Sequence, residues 1–283
     1  VRCVLTVLLV LLAPLEAPAR RIRVVASIFP IADIARQVGG DLVEVRALLG
    51  AGVSPHTFEP TPRDMRQLAG ADLFLAVGLG LEHWAEQLVV AAGAGKKRVV
   101  VSQGVPLLGE DPPNPHIWLD PVRAKIISAN IAAAYAALLP ERAETVVDRR
   151  QRFLSELDSL HAWIESATDT LSRHRFIGFH PAWVYFGDRY GLEQVGVVEE
   201  FPGKEPSPRY LADLVALARE QEAAAIFAEP QLNSAAAEAL AREIGVGVAV
   251  LDPIGGPQVP GRETYTALLG WNTRAMVNAL RSR

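Results

Sequence analysis

"ERAETVVDRRQRFLSELDSLHAWIESATDTLSR", residues 141–173, contains neither glycine nor proline. Leu154, Leu157, Leu160, Ile164, Ala167 and Leu171 recur in it at helical spacing, the pattern of one apolar stripe along a single helix. At ~1.5 Å per residue such a helix is roughly 50 Å long, far more than one α/β unit requires. Linkers are rich in Gly, Ser or Pro, so this stretch reads as a rigid spine instead. A spine of that length implies a body on either side.

Working outward, short β-rich runs alternate with helical patterns on both sides. Before the spine, strands are expected at 22–26, 42–48, 72–77 and 98–101, with helices at 31–38 and 82–92. After it, strands at 175–179, 194–198, 224–228 and 247–251 alternate with helices at 182–190, 208–220 and 235–244 and a final helix. The expected fold is α/β: two lobes, each with a mostly parallel sheet of about four strands flanked by helices, joined by one long helix. The divisions are a signal peptide at 1–19, an N-terminal lobe at 20–140, the linking helix at 141–173 and a C-terminal lobe at 174–283.

The first nineteen residues carry Arg2, an apolar run over 4–12, and Ala17-Pro18-Ala19 ahead of Arg20-Arg21. This is the pattern of a cleavable secretory signal, with an apolar run too short to span a bilayer. Cys3, the single cysteine, lies before that run, so a periplasmic protein without a lipid anchor is expected. Export with its only thiol in the signal leaves no disulfide and no thiolate ligand, so any metal must be held by nitrogen and oxygen. The net charge of -4 and the absence of a basic stripe argue against nucleic acid as a partner.

Three of the six histidines share an address. His56 in "SPHTFEP", His116 in "NPHIWLDP" and His180 in "GFHPAW" each follow an expected strand, and Asp252 in "LDPIGG" does the same. Loops beyond the carboxyl ends of parallel strands converge on the crevice where α/β sheets bind ligands. Neighbouring prolines limit the backbone freedom of all four loops. Three imidazoles and a carboxylate form a tetrahedral zinc set. His83, His161 and His174 lie on or beside helices and are read as structural. Asp120-Pro121 reads as a helix cap, Glu59 as one candidate acceptor for the His56 ring beside a bland surface role, Glu229 as a reserve residue of the cleft, and Glu199, Glu200 and Glu205 as solvated surface. Because imidazoles bind metal only when neutral, affinity is expected to fall below about pH 6.

With these motifs in place, and with "PGKEPSPRYLADLV" between them, the mature chain resembles the periplasmic receptors of zinc and manganese ABC importers, the cluster A-I solute-binding proteins. The resemblance implies one metal in the interlobe cleft, held by His56, His116, His180 and Asp252. It implies a non-enzymatic, monomeric receptor that delivers Zn2+, in preference to Mn2+, to a membrane permease. Manganese receptors of that family carry glutamate at the position of His180. Two departures stand out: "LLGEDPPNPH" supplies only Glu110 and Asp111 where many zinc members have a long His- and Asp-rich loop, and the disulfide of some members cannot form. The rival expectation is an exported zinc hydrolase using the same histidines with Asp252 as base; no H-E-x-x-H or G-x-S-x-G motif accompanies it.

Overall fold

A computed structural model describes residues 20–85, 89, 97–109 and 112–281. The expected signal segment, Glu110, Asp111 and most of the helix expected at 82–92 lie outside the described residues. The N-terminal lobe is built from β1 (Ile22–Ala26), α1 (Phe29–Gly39), β2 (Val43–Ala47), α2 (Pro62–Ala69), β3 (Leu73–Ala76) and β4 (Lys97–Val100). Two long helices follow, α3 (Pro121–Leu138) and α4 (Ala143–Thr168). The C-terminal lobe comprises β5 (Arg175–Gly178), α5 (Val184–Tyr190), β6 (Glu193–Val197), α6 (Pro208–Glu220), β7 (Ala225–Ala228), α7 (Ala235–Ile244), β8 (Gly247–Val250) and α8 (Tyr265–Leu280).

Both sheets are four-stranded and fully parallel, in the orders β2-β1-β3-β4 and β6-β5-β7-β8. The two orders are the same when each lobe's strands are counted from its own first strand, although the sequence shows no short repeat. Central β3 (LFLA) is buried throughout, as a parallel strand covered on both faces must be. Edge strand β2 alternates instead, with Val43 and Val45 buried and Glu44 and Arg46 outside.

The linking helix α4 has 26 residues, about 39 Å at the usual rise. It buries Val146, Phe153, Leu157 and Ile164 and packs on α3, α1 and α8. It stops short of the expected end at residue 173. Thr168 turns its hydroxyl back onto the carbonyls of Ile164 (3.0 Å) and Glu165 (3.1 Å), and the Thr-Asp-Thr run has low helix propensity. One apolar core runs through this helical layer into both lobes, joining Phe29 and Phe74 to Trp183, Phe227 and Tyr265. A smaller core around Ile177, Phe179, Leu214 and Leu240 lies in the C-terminal lobe.

Buried hydrogen bonds tie the lobes together. The Trp118 indole donates to the Pro253 carbonyl (2.7 Å), the Tyr185 hydroxyl to the Asn114 carbonyl (2.8 Å) and the Tyr265 hydroxyl to the Trp118 carbonyl (2.7 Å). Asp120 caps α3 by accepting from Val122 N (2.8 Å), and it also accepts from Arg123 and from Arg189 on α5 across the junction. Among the described residues, no helix is long and apolar enough to cross a membrane.

Candidate metal centre

Each histidine of interest sits just beyond the carboxyl end of a strand or in the loop that follows it. His56 lies in the loop after β2, where its backbone N–H donates to Ser54 (3.3 Å) and the Trp84 indole donates to the Pro55 carbonyl (3.3 Å). His116 comes after β4, in the loop that turns into α3. His180 follows β5, and its carbonyl accepts from Gln194 Nε2 (2.7 Å). That contact requires glycine at 178, because a Cβ there would lie 2.0 Å from the same Gln194 nitrogen.

The three rings meet. Nε2 of His116 is 3.1 Å from Nε2 of His56 and 3.0 Å from Nε2 of His180, and ligand atoms of all three lie within 4.8 Å of one another. His116 and His180 are buried and His56 is half-buried. The opposite nitrogens explain the arrangement. His116 Nδ1 is 2.8 Å from Asn114 Oδ1, an oxygen that also accepts from the His116 backbone N–H, and His180 Nδ1 is 2.7 Å from Glu229 Oε1. Facing acceptors, both Nδ1 atoms are the protonated ones, which leaves both Nε2 atoms to offer lone pairs to a metal. Two lone pairs 3.0 Å apart repel unless a cation sits between them. A zinc ion about 2.0–2.1 Å from nitrogens at tetrahedral corners sets them about 3.3–3.4 Å apart, so small adjustments complete the fit.

His116 and His56 do not readily take up a proton. Burial, reinforced by its histidine neighbours, holds His116 well below the usual imidazole range. Burial, with His180 and His83 nearby, lowers His56 to about 3. Both rings therefore stay neutral well into mild acid, and the loss of affinity expected below about pH 6 moves to lower pH for these two ligands. Folding stability must respond as well. Below the ordinary value near 6.5 the unfolded chain takes up protons at these positions that the folded chain does not, so stability falls as pH drops from about 6.5 toward 3. Thermal melts of metal-free protein at pH 7 and pH 5 should show a loss that is smaller in His116→Gln. Equal losses in both proteins would contradict the assignment of buried neutral imidazoles.

Asp252 is placed differently from its three expected companions and is not in their close group. Its Oδ1 accepts from Gln231 Nε2 (2.7 Å) and from the backbone N–H groups of Ile254 and Gly255 (3.0 Å each). Its Oδ2 accepts from Arg262 (2.9 Å).

The chain matches, over residues 24–279, the family described as zinc-uptake complex component A periplasmic, ZnuA. It belongs to the ZnuA family. It is 27% identical over 276 residues to the "Zinc-binding lipoprotein AdcA" of Streptococcus pneumoniae (strain ATCC BAA-255 / R6), covering 90% of this chain and 55% of that protein. The chain thus spans about half the length of that relative. It is 28% identical over 266 residues to the "Manganese-binding lipoprotein MntA" of Halalkalibacterium halodurans, covering 92% of this chain and 88% of that one. The solved structure described as "Crystal structure of ZnuA" superposes with a TM-score of 0.84 at 32% identity, covering 92% of this chain and 99% of that chain.

Around the site, Glu59, Glu199 and Glu229 depart from the sequence reading, whereas Trp118, His83, His161 and His174 agree with it. Glu59 is exposed, and the carboxylate that meets a histidine of the group is Glu229 instead. Glu199, expected as solvated surface, is buried, and its Oε2 accepts from the Gly203 N–H (2.7 Å). Trp118 is fully buried, with its ring 5.1 Å from that of His116. His161, on the linking helix, pairs with the Tyr190 hydroxyl of α5 (3.0 Å), and His83 and His174 are exposed.

Proposed function

We propose that this chain is an extracytoplasmic solute-binding protein that captures one divalent metal ion, zinc in preference to manganese, and delivers it to the membrane permease of an ABC importer. The observation that carries the reading is the 3.0 Å approach of two imidazole nitrogens whose rings each turn the other nitrogen to an acceptor, with a third ring nitrogen at 3.1 Å. His56, His116 and His180 are the principal ligands, and a nitrogen-rich set suits zinc better than manganese. Asp252 is the fourth donor, through Oδ2, whose one partner among the described residues is Arg262, whereas Oδ1 already serves three donors. Sharing its charge with Arg262 makes it the weakest of the four.

The same contacts argue for a receptor over a hydrolase. A carboxylate already accepting four hydrogen bonds, one of them from a guanidinium, is a poor general base. The protein acts as a monomer outside the cytoplasmic membrane. The described chain carries no membrane-crossing helix, while AdcA and MntA are named lipoproteins; the mass of the mature amino terminus distinguishes a cleaved, unmodified end from an acylated one.

Titration of metal-free protein with zinc should saturate at one equivalent per chain, with manganese bound at least ~10-fold more weakly. Saturation at two equivalents, or tighter binding of manganese, would refute the proposal.

A further inference from the structure

We infer that Glu229 positions His180 and supplies the negative charge that holds the cation at this site, and that it thereby sets the preference for zinc over manganese. The inference rests on the three histidines being ligands. Strand register is its starting point. β5 and β7 are adjacent and parallel with Ile177 opposite Ile226, so continuing the register three residues past that pair sets His180 opposite Glu229. The Nδ1···Oε1 distance is 2.7 Å, between side chains 4% and 1% exposed. A carboxylate carried on the neighbouring strand end is as fixed as the ring it holds.

Charge separates Glu229 from the other acidic groups nearby. Asp252 is paired with Arg262, and Asp120 with Arg123 and Arg189. Glu199 is bound by a backbone N–H of its own loop. Among the described residues, Glu229 forms no ion pair with Lys or Arg; its recorded charge partner is His180. A cation on His180 Nε2 therefore meets a charge that no guanidinium has neutralised. The outer partners of the three ligands are graded: an anion behind His180, the neutral Asn114 amide behind His116 and, among the described residues, no Nδ1 partner behind His56. An N–H···carboxylate bond raises the basicity of the opposite nitrogen, and a more basic imidazole favours zinc over the oxygen-preferring manganese. His180 is then the strongest ligand and His56 the most weakly held.

Two variants separate charge from position. Glu229→Gln retains an acceptor oxygen for Nδ1–H but removes the charge, and Glu229→Met removes both. Competition titration should show zinc affinity about 10-fold lower in Glu229→Gln and up to ~100-fold lower in Glu229→Met, with smaller changes for manganese. Nitrogen-15 spectra of metal-free protein should show His180 as the Nδ1–H tautomer in wild type and Glu229→Gln and as a tautomer mixture in Glu229→Met, a signature that mere loss of stability does not produce. His180→Ala is the reference. If His180→Ala weakens zinc binding and Glu229→Gln leaves both affinities unchanged, the role of Glu229 is overturned while the histidine site stands. If His180→Ala also leaves zinc binding unchanged, the histidine site itself is wrong.

Discussion

Alanine at His116 should lower zinc affinity by more than ~100-fold. Losing a group that only orients a ligand costs roughly 10–100-fold, and losing the ligand itself costs more. Of the three rings His116 is the hub: its Nε2 lies 3.1 Å from His56 and 3.0 Å from His180. It is 2% exposed, and Asn114 fixes its tautomer. An alanine there leaves two imidazoles on opposite lobes with no third nitrogen between them. His56→Ala and His180→Ala should follow the same direction, and Asp252→Ala should cost less, because its carboxylate is shared with Arg262. His83→Ala and His161→Ala should bind zinc as wild type does, since one is exposed and the other is paired with Tyr190. Equal losses across all of these variants would remove the basis for the site.

Asp120→Ala should destabilise the protein by about 3–5 kcal/mol, the usual cost of removing one partner from a buried ion pair. The carboxylate is fully buried and accepts from Arg123 Nη1 (2.5 Å), Arg189 Nη2 (2.9 Å) and the α3 N-terminus. Without it, the Arg123 side chain, 7% exposed, keeps among the described residues Asp188 at 3.7 Å, the Pro106 carbonyl and the Tyr185 ring as partners. The helix also loses its cap, worth about 1 kcal/mol more. Denaturant unfolding of metal-free protein measures the loss. Zinc stoichiometry of the folded variant should stay at one, because Asp120 is not among the grouped metal-binding atoms. A loss below about 1 kcal/mol would show that the junction does not depend on this triad.

The two-lobed architecture was legible because its signals are local. A glycine-free helical stretch, strand runs of four to five residues and Pro-initiated helices such as α6 each depend on near neighbours in the chain. The three histidines were legible for a related reason: a strand's carboxyl end is a position the sequence can mark, and parallel sheets bring such ends together. Partners fixed by register were not legible. Glu229 meets His180 because β7 lies beside β5, and nothing near Glu229 in the chain announces that pairing. Asp252 shows the converse. Its strand-end address matched that of the histidines, but Arg262 and two backbone N–H groups ten or fewer residues downstream occupy its oxygens. Address located the residue, and local hydrogen bonding decided what its oxygens do. Glu199 and the end of α4 at Thr168 likewise depend on specific contacts that charge and periodicity do not encode.

Crystals of zinc-loaded protein, measured at the zinc absorption edge, show directly which atoms hold the ion. One anomalous peak per chain is expected, about 2.0–2.1 Å from Nε2 of each of His56, His116 and His180, with any fourth protein donor being Oδ2 of Asp252. A peak away from these nitrogens, or one bound to fewer than three of them, would contradict this ligand set.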